Sequence, residues 1–268
     1  IHCVPDGDEI LDWCNRLVDT CRRTGMRYML GETTYYHADA MYCRRRAAEG
    51  AFGAFVYAEG EYFHDVDSRC NLREVRRSRE ASRAGQEWKT RSRAYRERGV
   101  LAGPMHYPTH STSGPISVMK AHALKVCAWG LPPPQGDDYF DDSAFCNETA
   151  LFNMSNAAVM RICEHRKIGH PGQETFRVLG TEGSYKDGVW LTRLERKPLT
   201  VEEMRDPLPE DVHNAFAAAG EKSAYGGHGG SHAYLVHEFV DAVANGRQPA
   251  INAWEAARYM APGVMAHK

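Results

Sequence analysis

No apolar run in the sequence approaches the roughly 18 to 20 residues that a membrane-spanning helix needs, and no charged-then-apolar leader opens the chain. A membrane partner is therefore not expected. Charge of one sign is also lacking. Against 33 Lys and Arg stand 35 Asp and Glu, a formal net charge of -2, so the balance calls for neither nucleic acid nor an anionic membrane. The eight cysteines form no C-x-x-C pair and show no regular spacing. That excludes a dense disulfide framework and predicts reduced thiols, packed as small core hydrophobes, in a cytoplasmic protein. Missing too are a Walker loop, a G-x-S-x-G nucleophile turn, H-E-x-x-H and a strand-borne G-x-G-x-x-G. Phosphoryl transfer and serine-based acyl transfer have no support.

What is there is an ordinary globular composition, 43% apolar and 25% charged over 268 residues, enough for one large core or two modest ones. The chain opens on Ile1 rather than Met, inside the apolar stretch Ile1, Cys3, Val4, and this predicts that sequence is missing upstream. From Asp8 to Arg23, Ile10, Leu11, Cys14, Leu17, Val18 and Cys21 recur at helical spacing, with acids early and Arg22 and Arg23 late. Gly25 ends that helix, and Met26 to Gly31 reads as a short buried strand. Helix, glycine and strand form the second half of a βαβ unit whose first strand would end near Val4.

Tyr36 to Glu49 is again helical and is closed by Gly50, and the alternating aromatics of Phe55 to His64 predict a strand. Residues 69–98 carry ten arginines and one lysine with only Trp88 and Tyr95 interleaved. A single-strand nucleic-acid track needs more aromatics, so a solvated loop or partner-facing excursion is expected there. A small-residue helix follows Pro108 as far as Ala121, then a strand from Ala123 to Trp129. Pro132 to Pro134 and the acidic run Asp137 to Asp142 mark an exposed loop. Strand-like segments at Asn147–Met154, Ala157–His165, Thr175–Leu179, Gly183–Lys186 and Val189–Leu194 describe a meander. A polar, Pro-interrupted connector leads to two last helices, Ser231–Ala244 and Ala253–Ala266. The fold class is thus α/β: a piece of parallel structure over residues 1–35, then an α+β domain over 36–268 with a large, mostly antiparallel open sheet carrying helices on one face.

Three clusters could carry chemistry. His106, Tyr107, Pro108, Thr109 and His110 gather acid, base and hydrogen-bonding groups at a loop-to-helix transition. At a helix N-terminus the dipole disfavours imidazolium, so His110 is expected to be neutral and able to take a proton from a hydroxyl; the same residues would also serve simply as helix caps. In Tyr225 to His232, four glycines surround His228 just before a helix, which allows close approach by a ligand or equally a flexible lead-in. Gly31 to His37, at the end of the first inferred strand, places Glu32, Tyr35, Tyr36 and His37 where ligand crevices of open α/β sheets lie, unless they form a plain turn. The i,i+4 pairs His106/His110 and His228/His232 have metal-ligand spacing, but with thirteen histidines and no H-E-x-x-H, no metal is expected.

Together these segments resemble the Gfo/Idh/MocA family of NAD(P)-dependent oxidoreductases. The resemblance rests on Val4 to Asp8, Tyr28 to Thr33, Glu49 to Gly53, Tyr107 to His110, Leu179 to Gly183 and Gly227 to Gly230, in that order along nearly the whole chain. It implies that the chain begins near the end of a Rossmann domain, whose remnant is residues 1–35, and continues into a substrate and oligomerisation domain whose open sheet pairs copies of the chain. It implies NAD or NADP as cofactor, touched by Val4, Pro5 and Glu32, and a sugar, inositol or related polyol as substrate, oxidised at a secondary hydroxyl. It further implies His110 as catalytic acid/base assisted by Tyr107 and His106, with Tyr35, Tyr36, His37 and His228 lining the substrate crevice. Two positions depart from the family pattern: Val4 stands where its Glu-Lys-Pro motif has lysine, and His106 where sugar dehydrogenases have an Asp four residues before the histidine. The Tyr-Pro-Thr-His and Gly-Gly-His-Gly-Gly elements are also similar to NAD-dependent glycosidases of the same fold, typified by α-N-acetylgalactosaminidases, which oxidise, eliminate and re-reduce. The Val4 replacement leaves a non-catalytic sugar-binding or subunit-pairing relative as a further alternative.

Overall fold

A computed structural model of the chain describes residues 6–68, 72–219 and 225–268; Val4, Pro5, Cys70 and the strand expected to end near Val4 lie outside the described residues. Helix α1 (Gly7–Thr24) forms as its periodicity requires. The Asp6 carboxylate caps it by accepting from the backbone N–H of Asp8 at 2.9 Å and Glu9 at 3.1 Å, and Gly25 ends it in the left-handed conformation. The strand expected at Met26–Gly31 does not form. A parallel strand needs a hydrogen-bonded neighbour, and among the described residues none lies beside it; instead Leu30 N–H donates to the Ile251 carbonyl at 3.0 Å.

After a 3-10 turn at Thr34–Tyr36 come α2 (Ala38–Ala48) and strand β1 (Phe55–Phe63). The basic stretch is a helical hairpin rather than a solvated loop, with α3 (Leu72–Glu80) and α4 (Arg83–Glu97). Arginine is a good helix former, and the loop expected to stand free supplies counter-charge: Arg73 pairs with Asp137 at 2.6 Å and Arg76 with Asp142 at 3.5 Å. Phe140 pins that loop by packing with Val66 and Cys146.

Helix α5 (Thr109–Met119) leads to β2 (Ala123–Leu131), β3 (Asn147–Met154), β4 (Val159–His165), β5 (Gln173–Gly180), β6 (Gly183–Lys186), β7 (Val189–Thr192) and β8 (Arg196–Pro198). The connector expected to be irregular holds α6 (Val201–Met204) and α7 (Glu210–Ala218), and the chain closes with α8 (His232–Ala244) and α9 (Ala253–His267). The strands form one sheet in the order β2-β3-β4-β1-β5-β6-β7-β8. Only the central β1–β4 pair among them is parallel, so the sheet is mostly antiparallel as its turns predict.

Helices cover one face. The Ser-Thr-Ser-Gly run of α5 is fully buried, and these small side chains let the helix lie close on β1 and β5. Ile10 and Cys14 of α1 pack on Met260 and Val264 of α9. The other face is open; Trp129, Leu131 and Leu151 are exposed there, beside a lattice in which Arg161 meets Glu59 at 3.0 Å and Glu61 at 2.5 Å. Gly60 of β1 is the point of closest approach, since a Cβ there would strike the Ser111 carbonyl. Gly60→Ala is therefore expected to lower unfolding free energy by about 3 kcal/mol, read as a shift of the urea midpoint.

Candidate active site

One cross-strand row on the covered face builds the site. Register places Glu148 of β3 beside Glu164 of β4, Glu164 beside Tyr62 of β1, and Tyr62 beside Glu174 of β5. Alternate residues of a strand share a face, so three carboxylates and a phenol line up on the helix-covered side of the sheet. Burying a carboxylate is costly unless it is matched, and each has a partner. Glu148 accepts from Met105 N–H and from His267 Nδ1, both at 2.7 Å. Glu164 accepts from Ser111 Oγ and, at 2.7 Å, from Arg166, and burial pushes its carboxyl up to about 7. Glu174 accepts from Thr34 Oγ1 and lies 3.4 Å from His110 Nδ1 and 3.8 Å from His37 Nε2.

His110, the second residue of α5, is the centre. Its Nδ1–H donates to Glu32 Oε1 at 2.9 Å, and Glu32, only 2% exposed, also accepts from Thr34 N–H at 2.9 Å. The expectation of a neutral imidazole is overturned. Burial disfavours the charge, but the hydrogen bonds and negative charge of Glu174 and Glu32 outweigh it and push His110 up to about 11. A helix terminus is worth only about 0.3–1 kcal/mol at an exposed site, less than two carboxylates in contact. Glu32 and Glu174 are correspondingly held below the usual carboxylate range: burial would raise both, and His110 more than offsets it.

Two rings flank the imidazole, Tyr62 with centroids 4.8 Å apart and Tyr107 at 5.3 Å. The Tyr62 hydroxyl donates to His64 Nδ1 at 2.6 Å, and burial keeps that imidazole below its ordinary pKa and so neutral. Tyr62, His64, Thr34 and Glu174 were not singled out from the sequence. The i,i+2 spacing of Tyr62 and His64 within a strand was the available signal; the pairing that brings in Glu174 is a tertiary fact.

The other expected residues divide. His37, at the N-cap position of α2, reaches the site through Glu174, and Tyr107, 45% exposed, forms its rim. Tyr36 is corrected to a core residue, buried with its neighbours of the main cluster, and burial raises its phenol strongly. Tyr35 stacks under Arg44 at 3.7 Å. His106 is not on the helix with His110: it ends a separate 3-10 turn, accepts from Gly103 N–H at 3.2 Å and packs on the His267 ring at 4.1 Å, so the contacts seen direct it to α9. His228 pairs with His232 at 2.8 Å on the surface; Gly229, not His228, lies against His37. Glu32 lies within the site as a hydrogen-bond partner of His110.

Glu32, His110 and Glu174 each offer one ligand atom, all within 4.8 Å of one another, a donor set that suits a divalent cation. The protein's own donors nevertheless satisfy it: His110 and Thr34 N–H serve Glu32, and the Thr34 hydroxyl serves Glu174. The charge pairing has a pH signature. With a folded pKa above the unfolded 6.5, the His110 contribution to stability is whole below about 6.5 and lost as pH rises through about 11; that of the two depressed carboxylates is present above about 4.5 and lost on acidification. The stability difference between the wild type and His110→Gln, read from urea midpoints, is expected to be largest near pH 5–6 and to shrink steadily toward about pH 10.

No family model matches the chain. It is 22% identical over 288 residues, 94% of its length, to a glycosyl hydrolase family 109 protein of Parabacteroides distasonis, and 22% identical over 284 residues, 92% of its length, to an alpha-N-acetylgalactosaminidase of Tannerella forsythia. It spans 59% and 58% of those relatives, less than two thirds of either. Among solved structures, a levoglucosan dehydrogenase in complex with NADH and L-sorbose superposes with a TM-score of 0.63 at 16% identity, covering 98% of this chain and 68% of that one. The resemblance to the Gfo/Idh/MocA oxidoreductases seen in the sequence motifs thus holds in the fold: this chain is built like the open-sheet part of those enzymes.

Proposed function

We propose that the chain is the substrate-handling part of an NAD- or NADP-dependent oxidoreductase that moves hydride between the nicotinamide and a secondary hydroxyl of a sugar, inositol or related polyol. Residues 1–35 then end a Rossmann domain and 36–268 form the substrate domain. One observation carries this: a buried imidazole clamped by two carboxylates, with aromatic rims, at the ends of the central strands. Among the described residues no strand, glycine turn and helix follow one another in that order, so the dinucleotide-binding turn is assigned to the part of the protein outside them. What they supply is proton chemistry.

His110 Nδ1 is occupied by carboxylates, which leaves Nε2 for substrate, as in a histidine oriented by an acid. Being charged at neutral pH, it begins as a donor. It gives its proton to the oxygen of a keto sugar during reduction, and Glu32 and Glu174 hold the imidazolium that forms in the oxidative direction. The same donor suits protonation of a leaving glycosidic oxygen. That, with the glycosidase names of the curated relatives, favours transient oxidation and elimination as the second reading.

The free thiols among the described residues, four of them buried, fit the reducing cytoplasm. Pairing of copies through the open sheet is supported by Trp129, 65% exposed, beside Leu131 and Leu151. Among the described residues no helix is long and apolar enough to cross a membrane.

Nicotinamide absorbance with the native protein and a panel of polyols and sugars is the test. His110→Ala is expected to lower kcat/KM by about 10² to 10⁴. Oxidation should quicken with pH toward about 11, while ketone reduction stays level and falls only there. Aglycone release from an aryl N-acetylgalactosaminide without net change in nicotinamide selects the glycosidase, and absence of nicotinamide binding leaves a non-catalytic sugar-binding protein. Replacing Trp129 and Leu151 by Glu is expected to shift the native protein to smaller species in sedimentation velocity.

A further inference from the structure

The arginine-rich hairpin walls a cavity of 380 Å³, a size that accommodates a small ligand. Arg76, Arg79 and Trp88 line it from α3 and α4, and Tyr139 and Phe140 face them. Tyr107 and Arg166 also line it. Both belong to the surroundings of His110: the Tyr107 ring packs on the imidazole, and the Arg166 guanidinium lies 4.6 Å over Tyr62 while donating to Glu164. Cavity and proton-handling centre therefore share a wall.

The charges of the lining do not cancel. Its acids are Glu80 and Asp142. Glu80 takes Arg76 at 2.9 Å and Lys89 at 2.7 Å, and Asp142 lies 3.5 Å from Arg76. Arg166 is matched by Glu164 at 2.7 Å. Arg79 makes no ion pair among the described residues. A guanidinium with no ion pair among the described residues, lining one cavity with Trp88, Tyr139 and Phe140, is a site for a planar or tetrahedral anion carried on a ring whose C–H faces pack on aromatics.

Resting on the assignment of substrate chemistry to His110, we propose that this cavity holds the anionic part of the substrate, so that the substrate is an acidic sugar, carrying a carboxylate or a phosphate, whose anion meets Arg79 while its reacting hydroxyl reaches His110. The hairpin is then the element that sets substrate class.

Quenching of tryptophan fluorescence in the native protein, titrated with methyl glucuronide, glucose 6-phosphate and methyl glucoside, reads binding whether or not turnover follows. At least one anionic probe is expected to bind about tenfold tighter than the neutral glucoside, and which one tells carboxylate from phosphate. Arg79→Ala is expected to abolish that margin, Arg79→Lys to keep part of it, and both to leave the affinity for methyl glucoside and the urea midpoint unchanged, since Arg79 is a surface residue. Equal affinity for the three probes, no binding of any, or an Arg79→Ala variant that keeps the margin overturns the proposal. Persistence of the margin without nicotinamide turnover overturns the oxidoreductase assignment instead.

Discussion

Three glutamates in one row across the middle of a sheet, under a helix, oblige the rest of the molecule to supply cations. Glu148 and Glu164 are withdrawn from water and Glu174 is mostly so, and a buried carboxylate left unmatched costs several kcal/mol. Each match also positions an element. Glu148 holds His267 and so the end of α9. Glu164 holds Ser111 of α5 and Arg166, which lies over Tyr62. Glu174 holds Thr34 and faces His110 and His37. The imidazole thus owes its charge and its place to the requirement that keeps the sheet and its helical layer together.

Much of this was legible in the sequence where local rules dominate. Helices α1, α8 and α9 and most strands follow from periodicity and glycine stops, and Tyr107 and His110 stand out as a polar cluster at a loop-to-helix transition; Glu32 and His37 were expected at the end of a strand that does not form, and reach the site from a turn instead. What was not legible depends on pairings between distant segments. Nothing local aligns Glu174 with Tyr62. The charge of His110 was misread because the helix terminus is a visible but weak effect, while two carboxylates 78 and 64 residues away decide the outcome. His106 and His228 have ligand-like spacing, yet a break in helix geometry turns one toward α9 and leaves the other at the surface. The expected strand at Met26–Gly31 had the composition of a strand without a neighbour to pair with.

The basic hairpin and the acidic loop show the same limit. Each looks like a solvated excursion when read separately, because charge runs usually face water. Placed together they compensate, with Arg73 and Arg76 against Asp137 and Asp142, and the joint structure sets Trp88 and Arg79 around one cavity with Tyr107 and Arg166. An element with no core of its own, since none of its residues is fully buried, can vary in sequence at small cost to the fold.

The parallel pairing of β1 with β4 orders events during synthesis. β1 leaves the ribosome early, but its two neighbours are residues 159–165 and 173–180, and that wide separation along the chain makes such contacts slow to close. Until then Tyr62 has no flanking glutamates and His110 faces only Glu32. An emerging or truncated polypeptide therefore lacks one of the two carboxylates that hold the imidazolium, and only the completed sheet supplies the second, so the ionisation of one ring is tied to the closing of the central strands.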